Sequence, residues 1–302
     1  MKCPLCNSSD YQLLPVEGGF SRQGVFGVRN LECNSCRFVY SDFIHPQIIE
    51  LFYEYFCRAG TENDVFESLR ENAKQNGISQ LRTMEPYLPD RLGRVLDFGG
   101  GSGEAARLFL PLADDVFITE SDPKCIAHIN EESRLTLLDG KDILNDEYVG
   151  FFDLVILSNV LEHMTHPVQR IQEFSRLLSE DGQLFVEVPN EAPVLRRGGF
   201  HCQQHICFFT PDTFRNLIET QGSFDIEHLQ TCGASVEDII KEKTLIHDFD
   251  SQNTPDGWVI RAMLKNSRPK TEIVATNFEM GEFDQTVSDM SQSIFLMTRR
   301  AD

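Results

Sequence analysis

Short apolar runs alternate with amphipathic stretches from about residue 94 onward, which predicts strands alternating with helices. The run 152–158 is apolar at nearly every position, the pattern of a strand covered on both faces. The predicted strands are 95–98, 116–119, 135–138, 152–158, 183–188, 224–229 and 293–298, and the predicted helices are 104–112, 123–131, 167–178 and 214–219. This order predicts an α/β fold with a Rossmann-like, doubly wound sheet of seven strands.

The residues before this pattern differ from it in composition. Residues 1–45 are rich in cysteine, glycine and short β-prone runs, and residues 46–92 place apolar side chains at helical spacing. We therefore expect a small ribbon domain at 1–45, a helical connector at 46–92 and a sheet domain at 93–302. A stretch of mixed character at about 236–290 is predicted to be an insertion in the sheet domain.

The composition is that of a globular protein with a strongly acidic surface. The 302 residues include 27 Lys and Arg against 47 Asp and Glu, a net charge of −20. Such a charge repels phosphate backbones, so nucleic acid is a disfavoured substrate. Neither an apolar run of eighteen residues nor an apolar leader after Met1 occurs, so we expect a cytoplasmic protein without a membrane span.

Four of the nine cysteines form two C-x2-C pairs, Cys3 with Cys6 and Cys33 with Cys36. Two such pairs supply the four thiolates of a tetrahedral zinc site, and four protein ligands make that site structural rather than catalytic. The intervening 26 residues exceed the usual spacing but suit a β-hairpin. The pattern predicts a zinc ribbon; a ribbon that grips nucleic acid is the alternative that the acidic charge disfavours.

A glycine-rich loop, Asp97-Phe98-Gly99-Gly100-Gly101-Ser102-Gly103, joins a predicted strand to a helix. Glycines let the backbone approach a ligand closely. The Asp97 carboxylate would repel a pyrophosphate but suits a ligand that carries an ammonium group. Glu120, which ends the next predicted strand, can accept both hydroxyls of an unphosphorylated ribose. One ligand combines an ammonium, such a ribose and no phosphate, namely S-adenosylmethionine.

Residues 95–103 resemble the first motif of the class I methyltransferases, and 152–163 resemble the fourth, within a likeness covering about 90–230. The resemblance implies S-adenosylmethionine as the cofactor and places an acidic residue after the third strand near its adenine. Asp142 is our choice for that role, and Asp139 is its rival. The residues expected at the cofactor on this basis are Asp97, Gly99, Gly101, Gly103, Glu120 and Asp142.

Ser158 and Asn159 fall at the carboxyl end of the strand in the fourth motif. Ligands of open α/β sheets bind outside the carboxyl ends of the strands, so both residues are also expected at the cofactor.

Two histidines, His163 and His205, are the predicted catalytic residues because each follows a strand on the cofactor's side of the sheet. Methyl transfer from a sulfonium requires an aligned acceptor and, for a hydroxyl or carbon acceptor, removal of a proton. Histidine titrates near neutral pH and suits that task. As the alternative, His163 simply helps to build the pocket. A second metal site at Cys202 and Cys207 is disfavoured, since buried thiols are common.

The whole layout is similar to that of the zinc-ribbon sugar methyltransferases, some of which methylate carbon on nucleotide-linked deoxysugars. That family usually carries Glu-His where this chain has Gln204-His205. Because glutamine cannot take a proton, O-methylation fits at least as well as C-methylation. The resemblance implies a small polar acceptor, a sugar, nucleotide-sugar or glycan. RNA methylation that uses the ribbon, and a non-catalytic protein that binds S-adenosylmethionine, are the alternatives.

Overall fold

The computed structural model describes residues 2–15, 29–41, 63–198, 205–237 and 257–267. The strands are β1 (Tyr11–Leu13), β2 (Asn30–Cys33), β3 (Val39–Ser41), β4 (Leu92–Phe98), β5 (Ala113–Thr119), β6 (Leu135–Leu138), β7 (Phe152–Ser158), β8 (Leu178–Pro189), β9 (Cys207–Phe208), β10 (Phe224–Ser235) and β11 (Gly257–Asn266). The helices are α1 (Asn63–Met84), α2 (Glu104–Arg107), α3 (Pro123–Ile129), α4 (Pro167–Leu177), α5 (Ala192–Arg196) and α6 (Pro211–Gln221).

Seven strands form one mixed sheet in the order β10-β11-β8-β7-β4-β5-β6. The five neighbouring strands from β8 to β6 are parallel, whereas β11 is antiparallel to both β8 and β10. The predicted α/β fold class and the seven-stranded, doubly wound sheet are therefore confirmed.

The strand order reverses at β4. The chain places β5 and β6 on one side of β4 and then returns to place β7 on the other side. The loops after β4 and β7 consequently diverge at the carboxyl edge of the sheet, and such a switch point leaves a crevice in which ligands bind.

The core covers both faces of the sheet, as β7 illustrates. Leu154 and Ile156 pack into one buried apolar cluster, and Val155 and Leu157 pack into another. Successive side chains of a strand point to opposite faces, so a strand buried on both faces is apolar at consecutive positions. The apolar run at 152–158 is thus explained by helices on both sides of the sheet.

The predicted element bounds hold best where the apolar run is continuous. Strands 135–138 and 152–158 match β6 and β7. Helix 104–112 is too long, since α2 ends at Arg107, four residues before Pro111, which lacks the N–H that an extended helix would use. In the described ranges none of the helices is both long and apolar enough to cross a membrane.

The seventh strand of the sheet is β11, which lies within the stretch that composition marks as an insertion. Its apolar run is interrupted by Arg261, which masks the strand pattern, yet β11 is buried between β8 and β10. The predicted strand 293–298 lies outside the described residues, as do residues 42–62 of the predicted connector.

A second, smaller sheet is built by the N-terminal segment. Its order is β1-β2-β3-β9, with antiparallel pairing throughout. The strand β9 follows α5 in the chain, so the N-terminal strands pair directly with the part of the chain that carries His205. Arg196 strengthens this contact, because its guanidinium donates to the buried Glu32 carboxylate at 2.7 Å and to the Arg37 carbonyl at 2.9 Å.

Candidate active site and metal centre

The glycine loop after β4 lies at the switch point of the sheet. Gly99, Gly101 and Gly103 have φ angles of 71°, 56° and 77°, a region that favours glycine. A side chain at Gly99 would come within 3.0 Å of Val160, whereas one at Gly101 would meet nothing within 4 Å. The loop therefore packs against the segment after β7 and faces open space at Gly101.

Asp97 lies beneath this loop and is 2% exposed. Its Oδ2 atom has no hydrogen-bond partner among the described residues. Burial, reinforced by the nearby Glu120 carboxylate, raises the pKa of Asp97 to about 7. A buried carboxylate without a partner is costly unless a cation or donor pairs with it. The Asp97 carboxylate therefore fits the ammonium group of the predicted cofactor, which would donate a hydrogen bond to it.

Glu120 follows β5, one strand away from the glycine loop. Its Oε1 accepts hydrogen bonds from the backbone N–H groups of Ser121 at 2.6 Å and Asp122 at 2.8 Å. Asp122 in turn caps α3 by accepting from Lys124 and Cys125 N–H groups. The turn thus fixes the orientation of the Glu120 carboxylate at the same edge of the sheet as Asp97.

Both acidic candidates after β6 are exposed at this edge. Asp139 Oδ1 accepts from the backbone N–H of Lys141 at 2.7 Å, and Asp142 begins a 3₁₀ turn that ends at Leu144. The two carboxylates therefore stay alternatives for the adenine side of the crevice.

Ser158, which is half-buried, and Asn159, which is exposed, lie at the end of β7 and join a polar network, centred on the buried Glu187, that sequence reasoning missed. Glu187 Oε1 accepts from the side-chain amides of Asn159 at 3.2 Å and Gln80 at 2.9 Å, and Gln80 also donates to Ser158 Oγ at 2.6 Å. Asn159 adopts a positive φ of 54°. The network holds the end of β7 in place against α1.

The centre of that network is a fully buried ion pair between two strands. Arg261 Nε in β11 donates to Glu187 Oε2 in β8 at 2.5 Å, and both side chains are 0% exposed. Arg261 also donates to Ser79 Oγ at 2.9 Å and to Asn76 Oδ1 at 3.0 Å, both on α1. The signal available in the sequence was one acidic residue within the apolar run 184–188 and one basic residue within the apolar run 258–264.

The predicted catalytic residues His163 and His205 lie together. Their ring centroids are 4.8 Å apart, and each Nε2 atom lies 3.8 Å from Glu162 Oε1. The Nδ1 atom of His205 lies 2.5 Å from Glu191 Oε2, so a buried carboxylate orients that ring. We call Glu162, His163, His205 and Glu191 the Glu–His cluster.

Glu162 is the most buried member of the Glu–His cluster, at 1% exposed. Neither of its carboxylate oxygens has a hydrogen-bond partner in the described part of the chain. Burial raises the pKa of Glu162 to about 8. Sequence reasoning noted Glu162 only as part of a motif and missed Glu191, whose signal was an acidic residue directly after a buried strand.

The Glu–His cluster adjoins the glycine loop. Glu162 and His163 form a 3₁₀ turn at Leu161–His163, which follows Val160, the residue that faces Gly99. The Glu162 carbonyl accepts from the Ile206 N–H at 2.9 Å, which brings His205 to the same place. The edge of the sheet therefore holds a buried acid under the loop and two imidazoles beside it.

The four paired cysteines converge as predicted. The Sγ atoms of Cys3 and Cys36 are 3.6 Å apart and those of Cys6 and Cys33 are 3.5 Å apart, with all four within 4.8 Å. Tetrahedral ligands at a Zn–S distance of about 2.3 Å are separated by about 3.8 Å. The donor set fits a closed zinc site.

The disfavoured second metal site at Cys202 and Cys207 stays a prediction, because only one of its two cysteines is described. The buried Cys207 thiol donates to the Met164 carbonyl at 3.3 Å, and Cys202 lies outside the described residues. Within the described chain, the grouping of potential metal ligands other than the cysteine cluster is Glu162 with His163 and His205.

A mixed sheet with this strand order, a glycine loop at the switch point and a buried acid beneath it form the arrangement that the sequence predicts for a transferase of the Rossmann-like class. The family model described as a methyltransferase domain matches residues 66–229, more than half of the chain. The chain therefore belongs to this methyltransferase family, and the predicted enzyme class, an S-adenosylmethionine-dependent methyltransferase, is confirmed. A comparison with curated proteins finds no match.

Solved structures resemble the fold at low identity. A complex between the Trm112 methyltransferase activator of Haloferax volcanii and a proposed methyltransferase has 13% identity and a TM-score of 0.52, covering 69% of this chain and 97% of that one. The YcgJ protein of Bacillus subtilis has 13% identity and a TM-score of 0.47, covering 63% and 99%. The N-methyltransferase NodS of Bradyrhizobium japonicum, in complex with S-adenosyl-L-homocysteine, has 18% identity and a TM-score of 0.44, covering 66% and 87%.

Proposed function

We propose that this chain transfers the methyl group of S-adenosylmethionine to a hydroxyl of a small polar acceptor, in a crevice between the glycine loop and the Glu–His cluster. The observation that carries the proposal is Asp97, a 2% exposed carboxylate with an unpartnered oxygen beneath the loop. An ammonium group would supply the missing partner. A pyrophosphate there would meet a second negative charge.

The cofactor residues are proposed from their positions along the edge of the sheet. Asp97 and the loop at Gly99, Gly101 and Gly103 hold the methionine part, and Glu120 accepts the ribose hydroxyls. Asp142 lies on the adenine side, and Ser158 with Asn159 forms the floor after β7. Each role follows from strand ends that converge at the switch point.

The Glu–His cluster is proposed to face the acceptor, with His163 and His205 as catalytic residues. In the reaction the acceptor oxygen bonds to the methyl carbon while the carbon–sulfur bond breaks. Its electron pair returns to sulfur, which yields S-adenosylhomocysteine, and the hydroxyl proton passes to the cluster. The two imidazoles are 12–15% exposed, so they are open to a ligand but largely shielded from water.

Within this class we propose a sugar, nucleotide-sugar or glycan acceptor. The net charge of −20 disfavours a polynucleotide, which would have to approach an acidic surface. The cysteine cluster is proposed to hold a structural zinc ion, so that residues 1–45 act as a ribbon that supports the His205 segment rather than as a nucleic-acid grip.

Calorimetry with S-adenosylmethionine, S-adenosylhomocysteine and NAD⁺ tests the cofactor. We expect one equivalent of either sulfur compound to bind and the dinucleotide to give no signal. Uptake of NAD⁺, or no uptake of the sulfonium compound, would overturn the proposal.

Transfer of labelled methyl groups to a panel of nucleotide-sugars, glycans and RNA tests the acceptor. We expect H163Q and H205Q to lower transfer by about a hundredfold or more, the usual contribution of proton transfer by a side chain, with cofactor affinity nearly unchanged. His166, an exposed histidine at the start of α4, gives the matched control H166Q, which should keep its activity. Transfer to RNA alone would favour the alternative substrate.

A further inference from the structure

We infer that Glu162, His163 and His205 bind a divalent transition-metal ion next to the cofactor crevice. This inference rests on the proposed methyl transfer and specifies how the Glu–His cluster acts on the acceptor. In this form of the site the two imidazoles hold the ion, and the ion holds the acceptor hydroxyl.

The three side chains converge on one point. One ligand atom of each residue lies within 4.8 Å of the others, and both Nε2 atoms lie 3.8 Å from the same Glu162 oxygen. An ion bound at 2.0–2.2 Å to nitrogen and oxygen ligands separates them by about 3–4 Å. Small rotations of the side chains therefore bring all three into coordination.

Glu162 points to a bound cation independently of this spacing. Its carboxylate is 1% exposed, and both oxygens lack a hydrogen-bond partner among the residues described. A buried carboxylate is normally paired, hydrogen-bonded or bound to a metal. The two imidazoles each lie 3.8 Å from its Oε1 atom, a distance too long for a hydrogen bond but suited to a shared ion.

Glu191 supplies the outer support that such sites use. It contacts Nδ1 of His205 at 2.5 Å and leaves Nε2 directed at Glu162. Histidines that bind metals commonly donate their other N–H to a carboxylate, which fixes the ring and strengthens the ligand. The same carboxylate at His205 would be unnecessary if that ring only filled the wall of the pocket.

The ligand set selects the kind of ion and its task. Two imidazoles and one carboxylate suit Mn²⁺, Fe²⁺, Co²⁺ or Zn²⁺, and three protein ligands leave positions open for an oxygen of the acceptor. A hydroxyl bound to such an ion would ionise at a lower pH than a free one, and because both imidazoles would then serve as ligands, its proton would pass to solvent water and not to a histidine. The cysteine cluster differs in this respect because its four thiolates would close the coordination shell.

Binding of Mn²⁺ by purified protein, followed by electron paramagnetic resonance, tests the site. The cysteine cluster is first loaded with a single equivalent of Zn²⁺, which soft thiolates take in preference to imidazole and carboxylate ligands, so the second site stays free for Mn²⁺, which prefers oxygen and nitrogen ligands. We expect wild type and the H166Q control to remove one equivalent of free Mn²⁺ from solution. E162Q and H205Q should lower the affinity by about a hundredfold, and E191Q by about ten- to a hundredfold.

Circular dichroism and thermal unfolding establish that each variant is folded. If a variant does not fold, the Mn²⁺ titration of wild type alone decides whether the metal site exists. No Mn²⁺ or Co²⁺ uptake by zinc-loaded wild type would overturn the metal site, as would equal uptake by all variants. If metal uptake is absent while S-adenosylmethionine still binds and transfer still depends on the histidines, only this inference fails. Loss of cofactor binding itself would instead remove the proposed function.

Discussion

The buried Asp97 carboxylate lowers the stability of the folded protein, and we propose that it binds the ammonium group of the cofactor. Its carboxyl has a pKa of about 7 in the folded chain against an ordinary value of 3.8, because burial penalises the charged form. Below pH 4 the group is protonated in both states and the penalty is absent. As the pH rises from 4 to 7, the unfolded chain releases this proton while the folded chain still holds it. The free energy of unfolding therefore falls over this pH range.

We therefore predict that D97N stabilises the free protein while it abolishes cofactor binding. Three pKa units correspond to at most about 4 kcal/mol, so the expected gain in unfolding free energy at pH 8 is about 1–4 kcal/mol, falling toward zero at pH 4. Denaturant titrations at the two pH values measure the gain, and calorimetry measures S-adenosylmethionine binding. A variant that is less stable at pH 8, or that binds the cofactor normally, would contradict this account.

Gly101 is the loop position where a side chain would meet no other described atom of the protein but would point into the space proposed for the cofactor. A methyl group there touches no described atom within 4 Å, although φ is 56°. G101A should cost about 1–2 kcal/mol of stability from the left-handed backbone and should weaken S-adenosylmethionine binding by about tenfold or more. Thermal unfolding and calorimetry measure the two effects.

The matched control for this substitution is G150A. Gly150 has a φ of 70° and equally empty surroundings, but it precedes β7 at the amino edge of the sheet. G150A should show the same loss of stability with unchanged cofactor affinity. If both variants lose affinity equally, the space at Gly101 is not a ligand site.

At the residue scale, the sequence predicts the functional residues that belong to a recognisable motif. It does not predict residues whose role depends on contact with a residue far away in the chain. Asp97, the glycines and His163 stand at or soon after strand ends that the apolar pattern locates, whereas His205 was found from its motif. Glu187 and Arg261 are separated by 74 positions, and only the pairing of β8 with β11 brings them together. Glu191 likewise gains a role only through its contact with His205.

At the scale of elements, the ion pair between β8 and β11 ties α1 to the floor of the crevice. R261M leaves Glu187 as a buried charge without its partner, so we predict a loss of about 3–5 kcal/mol of unfolding free energy. Loss of the pair also frees Asn159 and Ser158, which should weaken cofactor binding.

The double variant E187L/R261M distinguishes charge imbalance from lost packing. It removes both charges and should recover part of the stability that R261M loses, because replacing a whole buried pair is far less costly than breaking it. Denaturant unfolding of wild type, E187L, R261M and the double variant checks this, and single-variant losses that simply add in the double variant would show that the pair is not coupled.

The bounds of strands are predicted well where the strand is a continuous apolar run. They are predicted poorly where a charged side chain is buried within the strand. Strands β6 and β7 have their predicted bounds, whereas β11 is obscured by Arg261 within the stretch that composition assigns to an insertion. Helix α2 is shorter than predicted because Pro111 cannot donate a helical hydrogen bond, although the apolar spacing before it is helical.

At the scale of the whole molecule, the N-terminal strands β1 to β3 form the small sheet together with β9, which lies between α5 and α6 in the chain. Val39 pairs with Phe208 and Tyr40 with Cys207, two residues beyond His205. If the cysteine cluster holds zinc as proposed, C33S should release it and lower methyl transfer more than cofactor affinity, because β3 pairs with β9 next to His205 whereas the glycine loop follows β4 in the other sheet. Metal content, transfer rate and calorimetry measure the three effects.

The control for the ribbon is C232S, which places a polar hydroxyl at a similarly buried thiol in β10. It should cost stability without loss of zinc. If C33S retains zinc, or if its cofactor affinity falls as much as its transfer rate, the ribbon does not act through the His205 segment.

The position of β11 has a consequence for how the protein is made. This strand lies between β8 and β10 although it is synthesised after both of them. On the ribosome, β8 must therefore wait with an unpaired edge, and β10 cannot take its final neighbour until the chain has passed Asn266. Unpaired edges invite aggregation, so nascent chains halted before β11 should be the most dependent on chaperones.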